Sequence, residues 1–563
     1  MQKEAERLRC DFCVIGGGMA GICAAVSAAR LGLSVVLVHD RNVLGGNASS
    51  EVRMWIRGAG LRFPQYAEGG LLEEIALDNM HYNPNLNYSV WDGVLYNKVV
   101  SEKNITPLLG ATCVGAAEEG GRIKSVRAWQ LQSYRLYEIE AAYFADCSGD
   151  CVLAEFLPVQ TMRGRESKDM YGEPMAPAVA DDATMGNTCM LQLRKGTEKP
   201  SPPFPFEKDI TEQIARRIDA ANNNWEQENF WWLEFGGDDD ALKNAEKHNR
   251  TALAMAFSAY RGIRERAGKN FPWQLDWVGF LAGKRETRRY RGDYVLTAND
   301  ILRGENFADA IAYGGWTMDV HDPRGLDAEE ANAHYAPSAP YAVPYRCIYS
   351  ADIENLFFAG RNISATHLAL SSTRVMGTCA MLGQAAGTAC AVAKKYGLTP
   401  RAAGAHVDEI RKLLLDNGCY LLHARRRGAF GSSAERRVGR EKRIVLGIGE
   451  KKVWEFSARR VSHIRLVFDS DFERRYEKDP MLRLFPMLCY NGSRKALRLP
   501  PTLVQDFSVR WRTKDGWHGR TAENNFQRLV TIPAGEEADA VEFCATRTHG
   551  AKKVYLWSAD VLE

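Results

Sequence analysis

The chain has 563 residues, 45% hydrophobic and 25% charged, with a formal net charge of +3. That length predicts about two to four domains, the apolar fraction excludes a disordered chain, and the near-neutral balance gives no overall drive toward nucleic acid or an anionic membrane. The 13 cysteines, an odd number scattered through strands and helices, exclude a secreted disulfide framework. The opening run Met1-Gln2-Lys3-Glu4-Ala5-Glu6-Arg7-Leu8 is charged and lacks an apolar signal core, which predicts a cytoplasmic protein.

Phe12-Cys13-Val14-Ile15 reads as a short apolar strand, Gly16-Gly17-Gly18-Met19-Ala20-Gly21 as a turn opening a helix to about residue 31, and residues 35–38 as a second strand. Gly16 permits a sharp turn, Gly18 lets backbone N–H groups approach a pyrophosphate, and Gly21 lets helix and strand pack closely. The phosphates then meet the positive end of the helix, where Met19 and Ala20 stand. The preceding strand, the following helix and Asp40 about twenty positions on give this glycine pattern the context of a dinucleotide fingerprint.

Val38-His39-Asp40-Arg41-Asn42-Val43-Leu44-Gly45-Gly46-Asn47 resembles the second-strand segment of the FAD-dependent oxidoreductases of the glutathione-reductase-like superclass. In those proteins an acid at the strand end takes the adenosine ribose and Leu-Gly-Gly lies under the pyrophosphate. Aligning the triplets puts His39 in the place of the acid and Asp40 one position late, so the ribose partner is one of these two. The resemblance also implies cofactor contacts for Arg41, Gly45, Gly46, Asn47 and Ala48. It carries the next stretch, through Glu51 and Arg53 to Gly58, toward the flavin ring, where Arg53 or Glu51 would face substrate; the alternative is ordinary surface ion pairing.

Residues 68–79 read as an amphipathic helix, 105–114 as a strand, and 123–128 with 134–140 as an antiparallel meander. The strand 143–146 ends in Cys147-Ser148-Gly149-Asp150, which resembles the family's next flavin signature and implies cofactor roles for Ser148, Gly149 and Asp150, with Cys113 and Val114 beside them. Cys147 and Cys151 read as small buried fillers, as do Cys10 and Cys13 on the first strand.

Between about 160 and 340 the strand–helix rhythm gives way to Trp, Arg and Pro, which predicts an inserted substrate domain. Trp225 and Phe230-Trp231-Trp232-Leu233-Glu234-Phe235 form either a substrate platform or core. Lys284-Arg285-Glu286-Thr287-Arg288-Arg289 resembles the family's Arg-Glu-Ser-Arg-Arg segment near the substrate cavity, which makes Arg285 and Arg288 candidates to orient substrate. His321, in a strand-end setting, is the first candidate for acid–base work.

Arg346 precedes Ala359-Gly360-Arg361-Asn362 and the helix beginning near Val375, which resemble the closing flavin signature and imply roles for Gly360, Arg361, Arg374, Val375, Met376 and Thr378. The helix's positive end would stabilise negative charge on the reduced ring. His367, in the connecting loop, is a second acid–base candidate or a structural staple. The small-apolar run 375–392 reads as a buried helix rather than a membrane span.

A helix at 405–417, a basic linker Arg425-Arg426-Arg427-Gly428 and short alternating strands from about 442 complete the chain. The last part predicts an all-β sandwich, loosely similar to discoidin and galactose-binding-like modules, or a packing or dimerisation module. No second glycine fingerprint follows a strand, and metal-ligand spacing is lacking, so no metal is expected and electrons would come from or go to something outside the chain.

The expected architecture is α/β: a discontinuous Rossmann-like FAD-binding domain (8–160 and 340–400), an inserted α+β substrate domain (161–339), a helical linker (401–440) and a C-terminal β-sandwich (441–563). The expected activity is FAD-dependent hydride transfer to or from a small oxygen-rich metabolite, with His321 or His367 moving the proton and Arg53, Arg285, Arg288 or Arg346 orienting substrate. The open alternatives are a flavoprotein isomerase or lyase, and a binding protein with structural FAD. A homo-oligomer is compatible with the sequence; nucleic acid and membrane are not expected partners.

Overall fold

The computed structural model describes residues 5–196, 202–218, 230–268, 270–422, 424, 426–428, 430–432, 443–471 and 497–563. Trp225 and Arg425 lie outside the described residues.

The sheet that positions the site contains β1 (Glu6–Ile15), β2 (Val35–His39), β3 (Ile105–Leu109), β4 (Ala111–Glu119), β5 (Arg122–Gln130) and β6 (Arg135–Asp146), in the order β3-β2-β1-β6-β5-β4. β1 runs parallel to β2, with Phe12 beside Val35, and parallel to β6, with Ile15 beside Asp146. The free edge of β6 is divided: its first half pairs antiparallel with β5, and its last three residues pair parallel with the strand Leu356–Phe358. Phe12-Cys13-Val14-Ile15 are all buried, as a parallel strand covered on both faces requires. The strand expected over 105–114 is two strands, because Gly110 takes φ +61° and breaks it; the segments expected at 134–140 and 143–146 are the single strand β6.

The helix α1 (Met19–Arg30) follows the glycine turn and is buried throughout except for Arg30. It crosses the helix Met376–Tyr396, of which residues 377–393 are buried. The two backbones nearly touch: a Cβ added at Gly383 would stand 2.0 Å from the Ala20 carbonyl oxygen, and one at Gly387 2.2 Å from that of Ala24. The small-residue composition of both helices is what permits this approach. Among the described residues no single helix is long and apolar enough to cross a membrane; the pair His367–Thr373 and Met376–Tyr396, bent by 92°, reaches that composition together but is packed in the core.

The helices α2 (Leu71–Tyr82) and α3 (Tyr88–Val100) pack beside α1, with α3 also against β3. α3 is absent from the sequence expectation, because its β-branched and aromatic residues and Gly93 blur the helical period; the legible signal was Asn87, whose side chain accepts from the Ser89 and Val90 N–H groups at 2.8 and 3.1 Å.

Residues 161–344 contribute short antiparallel pairs, among them Met318–His321 with Asn332–Tyr335, and the helix Ala245–Ala267. The C-terminal part differs from the expected two stacked sheets. Its described residues form one six-stranded antiparallel sheet whose long strands Lys451–Phe468 and Leu529–Thr548 carry register shifts. Val467 pairs with Leu529, and Phe543 lies about 46 Å further along an extended strand. The rings of Phe468 and Phe543 are nevertheless 6.0 Å apart. The sheet therefore folds over on itself, and a single continuous sheet supplies both layers of that core.

Candidate functional site

The glycine turn, the end of β6, the loop before Met376–Tyr396 and the segment 281–288 converge on one cavity of about 1060 Å³. Gly16 takes φ +103°, and a Cβ there would stand 2.6 Å from the Cys147–Ser148 backbone. Gly21 lies under it, where a Cβ would meet the Gly16 carbonyl oxygen at 1.7 Å. Gly18 has no such protein neighbour, its nearest being Gly46 Cα at 3.9 Å, so the space above it is cavity. The first turn of α1 has no side-chain cap and no acidic residue. Free N–H groups, a helix dipole and a cradle without side chains fit a diphosphate.

His39 is buried and fully used inside the chain. Its Nδ1 accepts from the Gly17 N–H at 3.0 Å and its Nε2 lies 3.0 Å from the Val43 carbonyl oxygen. Burial pushes it down to about 4, against opposing pulls from Asp40 and the Val43 carbonyl and with a smaller push from the Arg41 guanidinium. The imidazole is therefore neutral, and its 3.2 Å contact with Asp40 is not an ion pair. Asp40, 63% exposed on its side chain, is the acidic group at the strand end that lines the cavity. His39 thus ties the glycine turn while lining the cavity beside Asp40.

Asp150 accepts from Arg361 at 2.6 Å and Thr287 at 3.0 Å, and from Lys284. Burial raises its pKa, but Arg361 and Lys284 outweigh burial and hold it well below the carboxylate range. Asp146, behind it, is a structural hub, accepting from the Ser148 N–H and hydroxyl, the Leu153 N–H and the Tyr290 hydroxyl. Asn47 donates to the Lys284 carbonyl oxygen at 3.0 Å, so segment 281–288 closes onto the glycine side.

At the other end of the cavity, His321 stands with Nδ1 2.6 Å from Glu234 Oε1 and Nε2 3.1 Å from Asp319 Oδ2. Arg285 lies 2.9 Å from the same Glu234 oxygen, and Arg374 donates to the Asp319 carbonyl oxygen at 3.2 Å. Arg285 and Arg374 line the cavity, as do Trp231, Trp316 and Asp319. The helix Met376–Tyr396 begins beside them with Val375 as its N-cap and no side-chain cap.

A family model described as FAD dependent oxidoreductase matches residues 11–414. The chain belongs to that family. FAD is its cofactor and it is an oxidoreductase. Three solved structures resemble this FAD-dependent oxidoreductase at low similarity. A geranylgeranyl bacteriochlorophyll reductase-like protein from Thermoplasma acidophilum shares 10% identity over 73% of this chain and 86% of its own, with a TM-score of 0.34. The p-nitrophenol 4-monooxygenase from Pseudomonas putida shares 12% over 73% and 86%, at 0.33. A myxobacterial chondrochloren halogenase shares 10% over 72% and 79%, at 0.32. No curated protein matches the chain.

In this FAD-dependent oxidoreductase, Gly16, Gly18, Met19, Ala20, His39, Asp40, Arg41, Gly45, Gly46, Asn47 and Cys113 line the cavity. So do Ser148, Gly149, Asp150, Gly360, Arg361, Arg374, Val375 and Met376, together with Arg285, Arg288 and His321. Seven other expected positions do not: Gly21, which lies under Gly16, His367, and the five that follow. Ala48 is buried behind the lining and accepts from the Trp91 indole N–H. Val114 points to the opposite face of β4 and is 47% exposed. Thr378 is fully buried inside its helix, and Cys379 reaches the cavity instead. Arg53 takes φ +62°, which turns it onto Trp277, 4.0 Å from the ring centroid, and to Gln192. Arg346 is half-exposed and paired with Asp309 at 3.0 Å, away from the site.

His367 also leaves the list of proton handlers. Its ring lies behind Glu286, 2.9 Å from that carboxylate, and the His367 backbone N–H donates to Glu166. Of the aromatic cluster, Trp231 reaches the cavity while Phe230 and Trp232 are core. Asp319, Trp316 and His334 went unnoticed in the sequence. Asp319 was legible as the residue two before His321 on one strand, which places both side chains on the same face.

Proposed function

We propose that this enzyme moves a hydride between a carbon of a small oxygen-rich metabolite and flavin N5, with an external electron donor or acceptor completing turnover. Bound FAD supplies the two-electron chemistry. The chain's residues would hold it from both ends: the uncapped first turn of α1 at the diphosphate, Asp40 at the ribose, and the N-terminus of Met376–Tyr396 near the ring, where a helix dipole favours negative charge.

The observation that carries the reading is the His321–Asp319 pair, 3.1 Å apart and lining the same cavity as the glycine turn. That pair exchanges the proton that accompanies the hydride, with Arg285 fixing Glu234 against the imidazole's other nitrogen. His334, 55% exposed and 3.4 Å from the second Asp319 oxygen, connects the pair to solvent. Segment 281–288 and Trp316 bound the chamber. On this reading residues 161–339 build the substrate side, 8–160 with 340–400 the cofactor side, and residues from 441 an appended module.

The test is His321→Asn. The variant keeps its FAD, and its rate of flavin bleaching by the donor that reduces the wild type falls about 10²- to 10⁴-fold, the usual contribution of a positioned proton handler. An unchanged bleaching rate would remove His321 from the mechanism.

A further inference from the structure

At the substrate end one buried cation is poorly served. Arg285 and Arg374 face two carboxylates, Glu234 and Asp319, and between those carboxylates lies His321. Its ring nitrogens face carboxylate oxygens at 2.6 and 3.1 Å, so Glu234 and Asp319 are both engaged by the imidazole as well as by the arginines. The neighbouring acids Glu286, Glu166 and Asp239 are engaged elsewhere, the first two by His367 and Arg289 and the third by Lys247 and His248.

The under-served member is Arg374. A guanidinium has five N–H donors, and among the described residues this one makes a single hydrogen bond, to the Asp319 carbonyl oxygen at 3.2 Å. Its nearest carboxylate oxygen is 3.8 Å away, and its buried Nε has no partner. Burial, only partly offset by Asp319, drives its pKa down to about 10. A buried cation left so poorly paired is costly unless a further anion joins it.

We propose that the substrate carries a carboxylate, which docks against Arg374 beside His321, with its carbon skeleton against Trp231 and Trp316. This rests on the reading of the cavity as the substrate chamber. A carboxylate matches the planar guanidinium in shape and supplies acceptors for its unused donors, and the two indoles offer apolar surface to the remainder.

The test needs no knowledge of the natural substrate. The FAD-loaded protein is titrated with acetate and benzoate, and separately with the neutral isosteres acetamide and benzamide, while the flavin absorption bands are followed. At least one carboxylate shifts the bands saturably, and at least tenfold more tightly than its amide. In Arg374→Gln that affinity falls about 10- to 100-fold, the worth of a hydrogen bond to a charged group, and Arg374→Lys recovers part of it. Amides binding as well as acids, or no carboxylate binding to a protein that holds its flavin, would overturn the proposal. The wild-type comparison decides the matter even where the Arg374 variants do not fold. Carboxylate binding with a flavin that no donor reduces would leave this proposal standing and sink the hydride-transfer reading.

Discussion

Single residues show where spelling and role part company. His39 and Asp40 differ by one position at the end of a strand, where neighbouring side chains point to opposite faces, and nothing in the letters says which faces inward. The buried imidazole carries a specific consequence. Its pKa is about 4 in the folded chain against an ordinary 6.5, so the unfolded chain takes up a proton across that window and the folded one does not. Stability present above pH 6.5 is therefore lost as the pH falls toward 4, by about 3 kcal/mol for a shift of this size. Urea denaturation of wild type and His39→Gln at several pH values checks this: the wild type loses stability across the window by that much more than the variant. Asp150 makes the opposite case, a carboxylate that anchors two cations. Asp150→Ala leaves Lys284 and Arg361 unpaired and costs about 3–5 kcal/mol, readable in the same denaturation assay. The sequence marked Asp150 by its place after Ser-Gly. It was silent about Lys284, whose partner lies 134 positions away.

At the scale of elements, the legible part was the part governed by local rules. Gly16, Gly18 and Gly21 each sit where a backbone reason demands them, and the buried β1 and α1 follow from an apolar run and a small-residue helix. What escaped depends on long-range company. Arg53 and Arg346 carry the right charge for a substrate site, but a left-handed backbone turns the first away and Asp309 captures the second. The crossing of α1 with Met376–Tyr396 gives this level its prediction. Gly383→Ala pushes a methyl into the Ala20 carbonyl and displaces the helix whose first turn faces the diphosphate. It destabilises the protein by about 2–3 kcal/mol and lowers FAD occupancy, measured by thermal melting and by the flavin-to-protein absorbance ratio. Gly304→Ala, at a left-handed helix end with nothing within 4 Å of the added Cβ, costs only the backbone strain of its φ of +66° and leaves occupancy unchanged.

Across the whole molecule, the C-terminal sheet is fastened to the cofactor side. Ala76, Leu77 and Met80 of α2 belong to the same apolar cluster as Phe468, Phe507 and Phe543. Arg465, fully buried in the sheet, donates to the Leu415 and Asp416 carbonyl oxygens at 3.1 and 2.8 Å, capping the end of the helix Val407–Asp416. The two parts are therefore expected to melt in one calorimetric transition, and Arg465→Met to lower its midpoint through about 1.5–3 kcal/mol of lost charged hydrogen bonding. Two separated transitions in the wild type would show an independent module. The β content of this region was readable from alternation; its folding as one bent sheet was not, because the bend lies in register shifts that no pattern records.

The most direct test of the whole account is an anaerobic absorption titration of the purified, FAD-loaded protein with oxygen-bearing metabolites, hydroxy acids foremost, and with NAD(P)H. The flavin bands are expected to bleach with one of the organic compounds, and the reduced flavin to regain its bands when an external acceptor is admitted. A flavin that dithionite reduces but no organic donor bleaches, and whose reduced form no organic acceptor reoxidises, would contradict hydride transfer at this site.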